Sequence, residues 1–209
     1  MMERGRVVHL AKRQRERAAE ALTSAFLHDP MWSVVLPDEA TRADAFRPMW
    51  KALIDFTRVY GEVYTTDGAE GAACWVAPGN TKMSVWKMLR TGFGLPRSMM
   101  RLPEDTRQRF FGMMRFIDKH HGELMTGPHW YLWVLGVAPE NQRRGIGSRL
   151  MAPTLQRAVE EGVPSYLETQ TEGNVAFYRN LGFDVLREER EPVGDLPIWF
   201  MARRPERAE

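Results

Sequence analysis

The chain has few of the features that would announce a function outright. It has a single cysteine, Cys74, among 209 residues, so an internal disulfide framework is excluded. No apolar run approaches the roughly 20 residues that cross a bilayer, and no leader pattern opens the chain, so a cytoplasmic protein without a membrane part is expected. Neither sign of charge dominates. With 29 Lys and Arg against 27 Asp and Glu, the net charge is +2 at pH 7, which gives no electrostatic case for nucleic-acid binding. Histidines number five, and His120-His121 with Glu123 lacks the i, i+4 spacing of a helical metal site. The pair reads as a solvated helix end and no metal is expected. Repeats and low-complexity tracts are also absent.

The length suits one domain over residues 1–209, large enough to bury a core. Thirteen methionines and seven tryptophans supply core filling, with some left for a pocket around a flat ligand. The rest is organised around Trp130 to Gly147. Trp130 to Ala138 is almost wholly apolar and rich in aromatic and β-branched residues, as suits a strand buried on both faces. After Pro139, the run Gln142-Arg143-Arg144-Gly145-Ile146-Gly147-Ser148 opens a helix with apolar Ile146, Leu150, Leu155 and Val159. Bare N–H groups at a helix start, flanked by two arginines, suit a phosphate or pyrophosphate. Two familiar phosphate loops fail. A P-loop needs Gly-Lys-Ser/Thr, but Ser148-Arg149 follows Gly147; a dinucleotide fingerprint needs a third Gly or Ala, where Leu150 stands. A tight turn packing a helix on a sheet is the plain alternative.

Along the chain, Arg6 to Leu10 reads as a strand and Gln14 to His28 as a helix stopped by Asp29-Pro30. Asp38 to Tyr60 is a second helix, which Pro48 should bend or break. Glu62 to Thr66 and Gly71 to Ala77 pair around Asp67-Gly68. Asn80 to Gly127 is an insertion with helices near Val85–Gly92 and Thr106–His121; it builds a substrate wall, or else caps the sheet or makes a dimer contact. Pro153 should kink the helix that ends at Glu161. Ser165 to Thr169 is a strand, Asn174 to Asn180 a short helix, and Phe183 to Glu188 and Leu196 to Ala202 are antiparallel strands. Residues 203–209 form a polar, frayed tail.

Gln142-x-x-Gly145-x-Gly147 after an apolar strand, then Asn174 and Tyr178-x-x-Leu181-Gly182-Phe183, resembles the GCN5-related N-acetyltransferase (GNAT) superfamily. The run from Trp130-Tyr131-Leu132 through Leu167-Glu168-Thr169 is similar to that of its puromycin N-acetyltransferase-like members. The resemblance implies a central mixed, mostly antiparallel α/β sheet of about seven strands flanked by helices. It also implies acetyl-CoA, with its pyrophosphate on Arg143, Arg144, Gly145, Ile146, Gly147 and Ser148 beside Gln142, and its pantetheine arm along Leu135, Gly136 and Val137. Gly136 suits a bulge there, and a freed N–H near Leu135 or Val137 would bind the thioester carbonyl. Asn174 would hold the arm and Tyr178 would protonate the leaving thiolate.

The acceptor amine, an ammonium near neutral pH, must lose a proton first. Glu168 is the candidate base; its alternative is a structural acid paired with an arginine. Trp75, His129 and Trp133 are candidate acceptor contacts, with Trp75, Trp86, Trp130 and Trp133 a possible aromatic floor. His129 otherwise reads as a hydrogen-bonded structural histidine, and Cys74 as a core residue. The expected activity is direct acetyl transfer to a small-molecule primary amine by a monomer or homodimer. The alternatives are a protein N-terminal or lysine acetyltransferase and a non-catalytic acyl-CoA-binding module.

Overall fold

The computed structural model describes residues 5–82 and 84–205, so of the expected tail, residues 206–209 lie outside the described residues. Seven strands form one sheet in the order β1-β2-β3-β4-β5-β7-β6. They are β1 (Val7–His9), β2 (Gly61–Thr66), β3 (Gly71–Val76), β4 (Trp130–Val137), β5 (Ser165–Thr169), β6 (Asp184–Arg190) and β7 (Pro197–Arg203). Every neighbouring pair is antiparallel except β4 with β5. Arg203, assigned to the tail from sequence, closes β7 instead.

The sheet is covered on both sides, as the apolar composition of its central strands requires. On one face lie α1 (Arg15–Phe26), α2 (Pro30–Val35), α3 (Glu39–Tyr60), α5 (Gly94–Met100) and α6 (Glu104–Leu124), packed on Cys74, Val134, Tyr166 and Phe200. The other face carries α7 (Ile146–Glu161) and α8 (Glu172–Arg179), packed on Trp75, Trp130, Leu132 and Met201. The six-residue α4 (Val85–Arg90) lies in the insertion between β3 and β4.

Several local expectations change. Asp29-Pro30 does not merely stop α1: the Asp29 carboxylate accepts from the Trp32 N–H and Pro30 takes the first turn, so the pair starts α2. Buried Arg42 then ties this corner, donating to the Leu36 carbonyl at 2.9 Å and the Pro37 carbonyl at 3.0 Å. Of the alternatives at Pro48, the break does not occur: α3 runs on through it, as α7 does through Pro153, because tertiary packing outweighs one lost backbone bond. The insertion holds three helices rather than two.

Candidate active site

The site begins with a defect in the sheet. Strands β4 and β5 pair only at Trp130 with Ser165 and Tyr131 with Tyr166, then separate. Ala138 N–H donates to the Glu70 carbonyl at 2.9 Å. Backbone groups alternate along an antiparallel strand, so Gly136 and Val134 also face β3, while Leu135 and Val137 turn theirs into the gap. The Val137 carbonyl accepts there from Gln142 Nε2 at 3.0 Å, which anchors the following loop to the strand.

The bulge expected at Gly136 lies elsewhere. Register slips between Cys74, opposite Val134, and Trp75, opposite Leu132, so Trp133 is the extra residue. Gly136 pairs regularly with Ala72; a Cβ on it would come within 2.7 Å of Leu22 Cδ2 and 2.9 Å of Phe26 Cε2, so it is there to let α1 lie close. In the loop, Arg143 and Gly145 both have left-handed backbones, φ +59° and +70°. That turn aims the amides at the start of α7 outward, and the amides of Ile146, Gly147 and Ser148 have no intrahelical acceptor. Arg143 and Arg144 are exposed beside them. Gly147 keeps clear of Phe177, whose Cζ would stand 3.3 Å from an added Cβ. Such a cradle of amides, with two free cations and no bulk, fits a pyrophosphate.

Asn174 lies exposed in the first turn of α8, where its N–H is held by Thr171 Oγ1 at 3.2 Å. One turn later Tyr178 is buried among the side chains of the α7–α8 face, and no protein hydrogen bond holds its hydroxyl among the described residues. Burial raises its pKa, so the phenol keeps its proton.

Glu168 points to the opposite face. Its Oε2 accepts from the Tyr131 hydroxyl at 2.8 Å, whereas Oε1 is buried without a partner, as is the Tyr166 hydroxyl two residues earlier on the same strand face. Phe200 stands across from it on β7. No arginine pairs with this carboxylate among the described residues. Burial pushes its pKa up to about 8, against the lowering effect of the tyrosine hydroxyls, and the charge of Asp118 on α6 pushes in the same direction. A carboxyl poised there exchanges its proton within a unit or so of neutral pH.

The histidines are not a solvated end. His120 and His121 are buried, and His121 stacks on Tyr166 with ring centroids 4.6 Å apart. Its Nε2 lies 2.7 Å from Nε2 of His129, whose Nδ1 lies 2.7 Å from the Gly127 carbonyl. A carbonyl only accepts, so His129 carries its proton on Nδ1 and His121 donates through Nε2–H. Burial and the neighbouring ring lower His121 to about 4, and burial lowers His129 too, so the pair is neutral. A chain of donors ending on a carbonyl is a lock rather than a proton exit. His129 belongs to this lock and is removed from the acceptor contacts.

Trp75 is also removed: it has no exposed surface and packs under α7. The four tryptophans share no floor, since Trp75 and Trp130 lie on the α7 face, Trp133 on the other, and Trp86 is 80% exposed. Trp133 remains, half-buried and stacked on Phe56 at 5.1 Å. Sequence reasoning missed the roles of Tyr131, Tyr166, Asp118 and His121. The signals were present: Tyr166 and Glu168 share a strand face by their i, i+2 spacing, and Met113, Ile117, His120 and His121 follow an i, i+4, i+7, i+8 helical stripe.

The model of the Acetyltransferase (GNAT) family matches residues 67–183, more than half of the chain, including the split strands, the amide loop and α8. This protein belongs to that family. An uncharacterized N-acetyltransferase of Schizosaccharomyces pombe is 27% identical over 203 residues, covering 91% of this chain and 80% of that protein. The fold also matches a Corynebacterium glutamicum structure described as histone acetyltransferase HPA2 and related acetyltransferase, with TM-score 0.65 and 19% identity over 98% of both chains. Arylalkylamine N-acetyltransferase 2 of Aedes aegypti matches with TM-score 0.63 and 11% identity, over 96% of this chain and 99% of that one. The GNAT chain is thus an acyltransferase of N-acetyltransferase type, with a seven-stranded, mostly antiparallel GNAT sheet. Its structural neighbours act on amines as different as arylalkylamines and histones, and at these identities they show the fold alone.

Proposed function

We propose that this GNAT enzyme transfers acetyl from acetyl-CoA directly to the primary amine of a small molecule. The observation that carries the reading is Glu168: an unpaired, buried carboxylate oxygen beside the gap between β4 and β5, on the face opposite Tyr178. The gap has one wall of backbone at Leu135 and Val137, whose N–H groups face it, and ends at the amide cradle of residues 143–148, a fit for a pantetheine arm and its pyrophosphate. When bound, acetyl-CoA supplies the activated acetyl thioester.

Each residue then has one task. Glu168 Oε1 takes the proton from the acceptor ammonium and frees its lone pair. The amide N–H of Leu135 or Val137 donates to the thioester carbonyl oxygen as negative charge builds there. Tyr178 Oη holds the proton that the leaving sulfur requires. Asn174 and the exposed Arg143 and Arg144 border the cofactor's outer half. No covalent acyl-enzyme is needed: Cys74 is sealed in the core, and burial pushes its thiol up to about 12. The burial of Oε1 under α6 favours a slender acceptor over a folded protein surface.

Thiol release from acetyl-CoA over aminonucleosides, aminoglycosides, polyamines, arylalkylamines, amino acids and short peptides tests the reading, after cofactor binding is established by calorimetry. Turnover on one or more small amines is expected. Turnover confined to peptides would make the enzyme a protein acetyltransferase, and binding without any turnover would favour an acyl-CoA-binding module.

A further inference from the structure

Resting on the acceptor site just described, we propose that Asp118 is a specificity-determining residue that selects cationic acceptors, drawing the ammonium form of a primary amine into the recess beside Glu168 and Tyr166. The recess contains unmet hydrogen-bonding capacity. Tyr166 is fully buried, and neither its hydroxyl nor Glu168 Oε1 makes a hydrogen bond of normal geometry, although the hydroxyl lies close enough to lower the Glu168 carboxyl. A carboxylate oxygen and a phenol oxygen on one strand face, beside the ring of Tyr131, offer acceptors for the N–H groups and charge of an ammonium.

Asp118 belongs to this recess by position and by field. It lies one turn before His121 on α6, and His121 stacks on Tyr166, so both α6 residues face the same part of β5. Its charge acts on Glu168, Tyr131 and Tyr166 together. Asp118 has no ion-pair partner among the described residues, and burial alone raises its carboxyl. His121 and His129 are neutral. Arg187, a cation whose field reaches Tyr166, is engaged with Glu123 at 2.7 Å. Asp118 keeps contact with solvent while its carboxyl is partly desolvated, which places it at the mouth while the buried Oε1 of Glu168 forms the floor.

An ammonium entering between them offsets both negative charges and favours the ionised form of Glu168. One N–H bond of the ammonium then breaks, an O–H bond forms at Glu168 Oε1, and the electron pair stays on nitrogen for attack. Selection of the cation and generation of the base are one event.

The test uses the full chain and the best small amine found in the acceptor panel, compared with a neutral arylamine such as aniline. KM is read at pH 9, where Glu168 is ionised and an alkyl ammonium still holds its proton. Asp118→Asn is expected to raise KM for the alkylamine about fivefold with kcat within twofold, and to leave KM for the arylamine unchanged. Asp118→Glu should restore most of the loss. The alkylamine Kd by calorimetry should move with KM. The acid limb of kcat/KM should shift to lower pH, because a charge that hinders Glu168 ionisation has gone. An unchanged KM, or equal effects on both amines, overturns the inference while the wild-type turnover keeps the function. Wild-type protein that acetylates no small amine overturns both.

Discussion

The two faces of the sheet meet at one gap, but they are built from different materials. Towards α7 and α8 the site is mainly backbone: the free edge at Leu135 and Val137, the left-handed turn at Arg143 and Gly145, and the bare first turn of α7. Towards α6 it is side chains: Tyr131 on Glu168, Tyr166 under His121, and His121 locked to His129. A backbone site demands little of residue identity except where a side chain would strain or block it. A side-chain site changes with single atoms. The first suits a ligand common to a whole family and the second a variable acceptor.

Glu168→Gln should give the largest effect, lowering kcat about 100- to 1,000-fold with acetyl-CoA affinity unchanged. In the wild type, ionisation of a carboxyl held at about 8 makes kcat/KM rise with pH to a midpoint near that value, and the limb should vanish in the variant. Loss of cofactor affinity in Glu168→Gln would erase the contrast between the faces. Tyr178→Phe sharpens it, because this is the one side chain on the backbone face given a chemical task. Stopped assays should show kcat down about 10- to 100-fold at unaltered acetyl-CoA Kd, and full activity would remove Tyr178 from the acid role. Gly145→Val works the other way, forcing a β-branched residue to φ +70°. Calorimetry should show acetyl-CoA binding weakened about tenfold, with the melting temperature lowered by only a few degrees. Smallest is His121→Phe, which keeps a ring on Tyr166 but leaves His129 Nε2 buried and unpaired. About 1–2 kcal/mol of stability should go, roughly 2–8 °C in Tm, with cofactor affinity intact.

The same division governs what can be read from the sequence. The backbone face was legible: an apolar strand, glycines at 145 and 147 and a helix start are local features, and the expected gap-facing residues Leu135 and Val137 are those the register turns outward. Strand β5 was placed residue for residue. The face proposed for the acceptor joins β4, β5 and α6, whose segments are far apart in the chain, so nothing local announces that Tyr131 meets Glu168 or that His121 meets His129. All six residues of β3 are buried, leaving no alternation from which to tell which face Trp75 takes. Asp29-Pro30 was read as a stop because the same pair both ends one helix and starts the next.

Finally, the seam between β4 and β5 is two residue pairs long, yet among the described residues it is the one strand pairing between a four-stranded half, β1 to β4, and a three-stranded half, β5 to β7. The molecule is therefore a pair of tongs with its rivet at Trp130–Ser165 and Tyr131–Tyr166. An extended arm bound there as proposed would take the place of the missing stretch of strand between the two halves. Tyr131 and Tyr166 therefore stand both in the strand pairing that joins the halves and, through their hydroxyls, beside Glu168.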